Sequence, residues 1–459
     1  MVVKILIIGG GPAGYEAALV AAELGADVTV VDRSGLGGAC VLYDCVPSKT
    51  LCTTAEAVTW MEAASTLGLA PPDEPPPLKV NLATVFARIV WLAEAQSRDI
   101  EKKLAAANVR VLHATARFEG PRSIAVETNG DTERLEPDVV LIATGSAPRE
   151  LDAAKPDGVR ILNARQVYDL TEVPEHLLVV GSGATGAEFA HAFNRLGSQV
   201  TLVCSRDRVL PGEDVDAALV LEEVFARRGM RILKNARAAG ARATQDGVEV
   251  SLVSGETIAG TRALFTVGQV PNSADLGLDA AGVTVSDAGA IVTDGVSRTN
   301  VPTIYAAGDV TGHMMLASTA AMQGRIAMWH ALGQAVSPMH WEEVAATVFT
   351  DPEIATVGLS ETECSEKGLS VDVRKLPFAT NARAKMVGLE DGFVKVIALR
   401  TTHVVLGGTV VAPHASDLIL PLSLAVHARL GVEPLAQAFS IYPSFGGSIQ
   451  EAARQLMRG

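Results

Sequence analysis

Aromatic residues make up only 4% of this 459-residue chain, cysteine occurs five times, and there is neither a long basic run nor an apolar stretch of membrane-spanning length. Each shortage excludes something. Without about 20 consecutive, predominantly apolar residues free of charge and turn signals, no membrane span is expected. With 52 acidic against 38 basic residues and a formal net charge of -14, the chain repels a phosphate backbone at long range, so nucleic acid is not an expected partner. Cys40, Cys45, Cys52, Cys204 and Cys364 are too few and too scattered for a disulfide framework. No second Cys-x-x-Cys or His-x-x-x-His pair stands ready to complete a zinc site, so no metal is expected either. No charged start, apolar run and cleavage site precede the first apolar strand, and the expected location is the cytoplasm.

What is abundant is glycine, 42 residues of it, within a 48% apolar composition. Apolar parallel strands joined by tight turns have that composition, and the fold class is read as α/β. At roughly 150 residues per domain the length suggests about three domains. Val3 to Ile8 is a β-branched apolar run; GGGPAG turns the chain, Tyr15 to Leu24 has helical spacing, and Val28 to Val31 forms a second run. The pattern returns at Leu177 to Val180, GSGATG, Ala187 to Leu196 and Val200 to Val203. Two G-x-G-x-x-G copies, each between a strand and a helix, are a far stronger signal than one. Between them, PPDEPPP at 71–77 is too proline-rich for helix or central strand and reads as a surface excursion. Trp91 to Ala106 reads as an amphipathic helix, and Asp138 to Gly145 and Val301 to Gly312 as strands running into glycine turns. From Val344 the texture changes to alternating strands and helices, which marks a separate domain.

Gly9, Gly11 and Gly14 suit a tight turn, close approach of a pyrophosphate and close helix packing, and Asp32 at the end of the second strand can accept from ribose hydroxyls. Gly181, Gly183 and Gly186 repeat the pattern, but the following strand ends VTLVCSRDR, with Cys204 where an acid would meet an adenosine 2'-hydroxyl. Ser205, Arg206 and Arg208 follow and could hold a 2'-phosphate, favouring NADPH with NADH also accepted. The arginines read equally as solvated loop charges. Cys40 and Cys45, five residues apart just after the first fingerprint, suggest a thiol pair against a flavin. Inert buried cysteines are the alternative.

Across its whole length the chain resembles the pyridine nucleotide-disulfide oxidoreductases, the family of lipoamide dehydrogenase, glutathione reductase and mercuric reductase. GGGPAG, GGACVLYDCVPSK, ATGSAPR, GSGATGAE, VGQVPN and AAGDVTG occur in family order, and FTDPEIATVG resembles the start of its dimer-interface domain. The resemblance implies two Rossmann-like dinucleotide-binding domains, FAD on 1–150 with 273–343 and NAD(P)H on 151–272, plus a C-terminal α+β dimerisation domain at 344–459. It implies a homodimer whose active site is completed by the partner's C-terminus. Cys45 would lie against the flavin and Cys40 would be the outer thiol. Lys49 would approach the flavin and pair with Glu188, and Asp309 would hold the ribityl chain. Ala116, Thr144 and Gly145 would lie along the FAD, Ala317 would offer its N–H to the isoalloxazine, and Gly268 belongs to the cofactor-contacting VGQVPN motif.

Two departures shape the functional expectation. Disulfide reductases of the family carry His-Pro-Thr followed by Glu near the C-terminus; here Tyr442-Pro443-Ser444 is followed by Gly447. A phenol with an unperturbed pKa near 10 is a poor base at neutral pH, so a contribution of roughly 10²- to 10⁴-fold to thiol chemistry is lost. The family's Asn-x-Gly in the thiol loop is replaced by Leu42-Tyr43-Asp44, and a carboxylate beside Cys45 disfavours a thiolate. Tyr442 would line the substrate cavity from the partner, or only fill the imidazole's space. The expectation is an NAD(P)H:quinone oxidoreductase, since a subgroup of the family with that activity also lacks the His/Glu pair. Disulfide or metal-ion reduction through Cys40 and Cys45 is the enzymatic alternative, and a non-catalytic nucleotide-binding subunit or redox sensor the other. Cys52 is expected to be packed, Cys364 exposed, His414 and His427 at the surface or an interface, and His313 near the flavin or solvated.

Overall fold

The computed structural model describes residues 2–69, 79–128 and 130–457; the proline-rich run at 71–77 lies outside them. The chain divides into two compact units. The first comprises Met1–Thr50, Ala83–Arg149 and Val267–Met339, the second Leu51–Leu82, Glu150–Thr266 and His340–Gly459.

In the first unit five parallel strands are ordered Ile304–Ala306, Val139–Ile142, Lys4–Ile8, Asp27–Asp32, Arg110–His113. Their sequences, such as KILII and VVLI, are almost wholly apolar because both faces of the sheet are covered. The helix Pro12–Glu23 packs on the helix Ala317–Ala331 so closely that a Cβ at Gly324 would lie 2.2 Å from the Ala13 carbonyl. Since the chain leaves Lys4–Ile8 toward one side of the sheet while Val139–Ile142 lies on the other, the carboxyl end of Lys4–Ile8 is the switch point at which such sheets bind ligands. A small antiparallel sheet, Thr115–Gly120, Ser123–Thr128 and Asp131–Leu135, completes this unit's main strands.

The second unit repeats the plan. Its parallel sheet runs Arg231–Leu233, Gln199–Val203, His176–Val180, Arg262–Phe265, Ile161–Asn163, again with the glycine-bearing strand at the switch point. The unit also holds a five-stranded antiparallel sheet, Ala346–Val348, Glu353–Gly358, Val405–Ala412, Phe393–Leu399, Val371–Pro377. Its core gathers Val394, Val396, Val410, Leu422, Ile449 and Ala453. Two Rossmann-like sheets and a C-terminal α+β part are the architecture expected from the sequence.

Cys364 corrects one expectation. The polar helix Glu361–Glu366 starts with a Ser360/Glu363 capping box, yet Cys364 is fully buried against Leu359 and Ile397. A six-residue helix capped this way fixes which face turns inward, and a thiol is apolar enough to fill that face. Cys52 is buried as expected, on the helix Cys45–Glu62.

Candidate active site

The two glycine turns are superimposable in register. Ile8 pairs with Val31 and Val180 with Val203, while Gly9 donates to the Val31 carbonyl (2.8 Å) and Gly181 to that of Val203 (3.0 Å). A Cβ on Gly9 would meet the Ala143 carbonyl oxygen at 2.2 Å, and one on Gly14 the Gly9 oxygen at 1.9 Å; at Gly181 and Gly186 the corresponding contacts are Thr266 O at 2.4 Å and Gly181 O at 1.9 Å. The middle glycines differ in kind: at Gly183 nothing among the described residues comes within 4 Å, and at Gly11 only Gly38 Cα does, at 4.0 Å. Outer glycines therefore close the turn, and the middle one leaves space in front of a helix N-terminus. That is where an anion is favoured.

Asp32 and Cys204 then occupy equivalent positions. The Asp32 carboxylate accepts from the N–H groups of Gly10, Ser34 and Gly35, each at 2.7 Å, so it fastens the glycine turn and keeps about one further acceptor site for a hydroxyl. Cys204 is fully buried, and burial pushes its thiol up to about 11 against the opposing hydrogen bond from Ser182, leaving a neutral group where the first turn has a charge. Ser205 and Arg206 are exposed, whereas Arg208 is partly turned inward to the Pro211 carbonyl (2.9 Å).

Around the first turn the other candidates are built in. Asp309 is largely buried and receives the Ser146 hydroxyl at 2.7 Å; burial raises its pKa despite that bond. Thr144 donates to the Asn272 carbonyl (2.7 Å) and receives its amide (2.9 Å), and Gly145 accepts from the Asn272 N–H (2.9 Å). Gly268 accepts from the Arg149 N–H (2.9 Å), Ala116 pairs with Val126 in the small sheet, and Ala317 opens its helix, so its N–H has no acceptor within that helix.

The thiol loop is pinned to the glycine turn: Gly37 donates to the Gly10 carbonyl (2.8 Å), and a Cβ on Gly38 would meet Gly11 Cα at 2.8 Å. Cys40 lies on the short helix Gly38–Leu42, and Cys45 is the first residue of the helix Cys45–Glu62. Neither cysteine is in a disulfide. Cys40 is hydrogen-bonded to Cys45, and this bond, burial and the charge of Asp44 drive its pKa far up, only weakly opposed by Lys49. Cys40 is thus held as a neutral thiol at physiological pH, so its nucleophilicity is suppressed. His313 is exposed, and Tyr442, beside exposed Phe439 and Ile441, has 86% of its surface free. His414 and His427 lie at the surface, against Glu56 (3.5 Å) and Glu343 (2.7 Å).

Glu188 is buried in the helix Ala184–Arg195 and accepts from the Phe349 N–H at 3.0 Å. One turn on, His191 is buried with no partner for Nδ1 among the described residues. Burial, reinforced by Arg228 and Arg195 and opposed by Asp351, pushes its pKa down to about 3. The native imidazole is neutral while the unfolded one titrates near 6.5, so stability is unaffected above that pH and falls by up to about 1.4 kcal/mol per pH unit below it, toward pH 3. His191→Leu should flatten this slope in urea titrations at pH 7 and pH 5; an unchanged slope would assign the acid sensitivity elsewhere.

Comparison with known proteins decides the family. The model described as pyridine nucleotide-disulphide oxidoreductase matches residues 3–324, and that of the family's dimerisation domain residues 344–453. The chain belongs to the pyridine nucleotide-disulphide oxidoreductases. It is 51% identical over 467 aligned positions to an NAD(P)H dehydrogenase (quinone) of Mycobacterium tuberculosis, covering 100% of this chain and 94% of that one. The crystal structure of LpdA from Mycobacterium tuberculosis superimposes with a TM-score of 0.95 at 50% identity, covering 99% of this chain and 100% of the other. A dihydrolipoyl dehydrogenase of Geobacillus stearothermophilus is 32% identical, over 98% of this chain and 95% of its own.

Oxidoreductases of this family use FAD and NAD(P)H, and the cradles fit both: two glycine turns with open middle positions, a largely buried carboxylate at Asp309, and at Ala317 an N–H at the start of its helix with no acceptor within that helix. Among the described residues no helix is long and apolar enough to cross a membrane, and no cluster of three or more His, Cys, Asp or Glu is placed to hold a metal ion. The sequence reading missed Arg195, Arg228 and Asp351, whose charges act on His191, and Thr59, which bonds Asp351. Asp351 falls within FTDPEIATVG, but nothing in the one-dimensional pattern pairs it with a residue 123 positions earlier.

Proposed function

We propose that this protein is an FAD-dependent NAD(P)H:quinone oxidoreductase, acting as a cytoplasmic homodimer and preferring NADPH. FAD, when bound, supplies the two-electron chemistry that links NAD(P)H to an acceptor. The chain's own residues bind and orient: Gly9, Gly11, Gly14, Asp32, Thr144, Gly145, Ala116, Asp309 and Ala317 would hold FAD, with 1–150 and 273–343 as its domain. Gly181, Gly183, Gly186, Ser205, Arg206 and Gly268 would hold NAD(P)H, chiefly on 151–272, and Lys49 with Glu188 would position the nicotinamide. The residues 344–459 would pair two copies, presenting the exposed Tyr442 to the partner's substrate cavity.

One observation carries the choice of acceptor. Cys40 is kept protonated by Cys45, burial and Asp44, while the C-terminal motif offers a phenol and a glycine instead of an imidazole and a carboxylate. Thiol exchange needs a thiolate and a base; a quinone needs neither. The name borne by the relative at 51% identity agrees with this reading. A dithiol reductase is the second reading, favoured by the Cys40–Cys45 hydrogen bond.

The separating experiment reduces the yellow protein anaerobically with NADPH and then offers menadione, lipoamide or oxidised glutathione, with Cys40→Ser in parallel. Menadione turnover should survive the substitution within about twofold, the loss being far below the 10²-fold expected of a group acting in proton transfer. Efficient lipoamide turnover that vanishes in Cys40→Ser would overturn the quinone reading.

A further inference from the structure

Glu188, His191 and Arg195 occupy one face of the helix Ala184–Arg195, at i, i+3 and i+7. The segment 349–351, which follows the strand Ala346–Val348, meets that face. Phe349 offers its N–H to Glu188 (3.0 Å), and two residues later the Asp351 carboxylate is fixed by two groups from other elements. Arg228, just past the helix Val215–Arg227, binds the Asp351 carboxylate at 2.6 Å through Nη2 and its main-chain carbonyl at 2.7 Å through Nη1. Thr59 adds its hydroxyl at 3.1 Å. Asn194, on the same helix as Glu188, donates to the Arg228 carbonyl (3.3 Å), and Arg195 is paired with Glu62. Burial would raise the Asp351 pKa, but the Arg228 charge and hydrogen bond, with the Thr59 bond, hold it below the usual range, so it stays charged.

A two-point grip by one guanidinium on the side chain and the carbonyl of the same residue fixes a backbone direction, not only a charge. With Asp351 so held, the Phe349 N–H two residues earlier has little freedom, and its bond sets the direction of the Glu188 carboxylate. We propose that Asp351, gripped by Arg228 and Thr59, is a positioning residue that fixes Glu188 through the Phe349 N–H. This rests on the reading that Glu188 acts on the nicotinamide side of the reaction.

The test uses the FAD-loaded enzyme with NADPH. In Asp351→Asn, flavin reduction in stopped flow should slow by about tenfold with little change in the NADPH concentration for half-maximal rate, as expected when a group is misaligned but not lost. In a Glu188→Gln background the same substitution should add nothing, because its effect passes through Glu188. Thr59→Val, which removes a single bond, should give a smaller slowing, and serves if Asp351→Asn folds poorly. Independently of turnover, hydrogen exchange of the Phe349 amide should accelerate by at least about tenfold in either variant. Equal slowing in both backgrounds, or a Phe349 amide that exchanges at the parental rate, would overturn the proposal. A Glu188→Gln enzyme reduced at the parental rate would instead overturn the reading on which it rests, while the amide measurement still tests the Asp351–Phe349 link.

Discussion

Gly14→Ala should yield a colourless protein. A Cβ at this position lies 1.9 Å from the Gly9 carbonyl oxygen and 3.0 Å from its carbon, and both are backbone atoms that cannot swing aside. The helix Pro12–Glu23 would have to withdraw from the strand Lys4–Ile8, but Ala13 is already pressed against Gly324, where an added Cβ would sit 2.2 Å from the Ala13 oxygen. Withdrawal carries the first N–H groups of the helix away from a bound pyrophosphate. A loss of roughly 3 kcal/mol, about 100-fold in FAD affinity, is a conservative expectation. The absorbance near 450 nm of the purified protein measures it. Gly183→Ala is the informative companion, because nothing among the described residues lies within 4 Å of the added carbon. That variant should fold and stay yellow while requiring more NADPH; a colourless Gly183→Ala, or a yellow Gly14→Ala, would show that the two turns have been read wrongly.

Lys395→Met should cost more stability than any other single change considered. In the strand Phe393–Leu399 Lys395 is 3% exposed, flanked by fully buried Val394 and Val396. Its ammonium meets Asp214 at 2.8 Å, Asp216 at 2.7 Å and Glu361 at 2.6 Å. Burial alone would lower its pKa, but the three carboxylates outweigh burial and raise it. Asp214 also caps the helix Val215–Arg227 through the Ala217 N–H. Methionine fills the volume and removes the charge, leaving three carboxylates facing one another with Lys375 on Asp216 as their remaining cation (2.9 Å). Deleting one partner of a buried ion pair costs about 3–5 kcal/mol. Thermal unfolding should begin several degrees lower, and Asp214→Asn added to Lys395→Met should restore part of the loss by removing the most buried of the stranded charges. A parental melting temperature in the single variant would mean that the carboxylates relax into water at little cost.

The sequence was most legible where function demands a local pattern. Gly9, Gly14, Gly181 and Gly186 were readable because a tight strand-turn-helix forbids a side chain at fixed spacing, and a Cβ added at any of them would meet a carbonyl oxygen at 2.4 Å or less. The replacement of an acid by Cys204 was readable from strand length alone. Cys364 was misread because six residues of polar helix say nothing about which face is inward; the Ser360 cap and the neighbouring Ile397 decide that. Asp44 was read as a charge beside Cys45; the structure adds that it also raises the Cys40 thiol, behind the Cys45 hydrogen bond and burial.

The amino-acid order by itself determined the α/β class, the duplicated nucleotide cradle, the family and the missing C-terminal imidazole, because each depends on residues close together along the chain or on a residue type at one position. Tertiary structure alone decided that Cys40 stays a neutral thiol, that His191 is buried uncharged, and that Asp351 and Lys395 are anchored by residues more than a hundred positions away. Desolvation and ion pairing depend on distance in space, and spacing along the chain carries no record of that distance until the sheets have assembled.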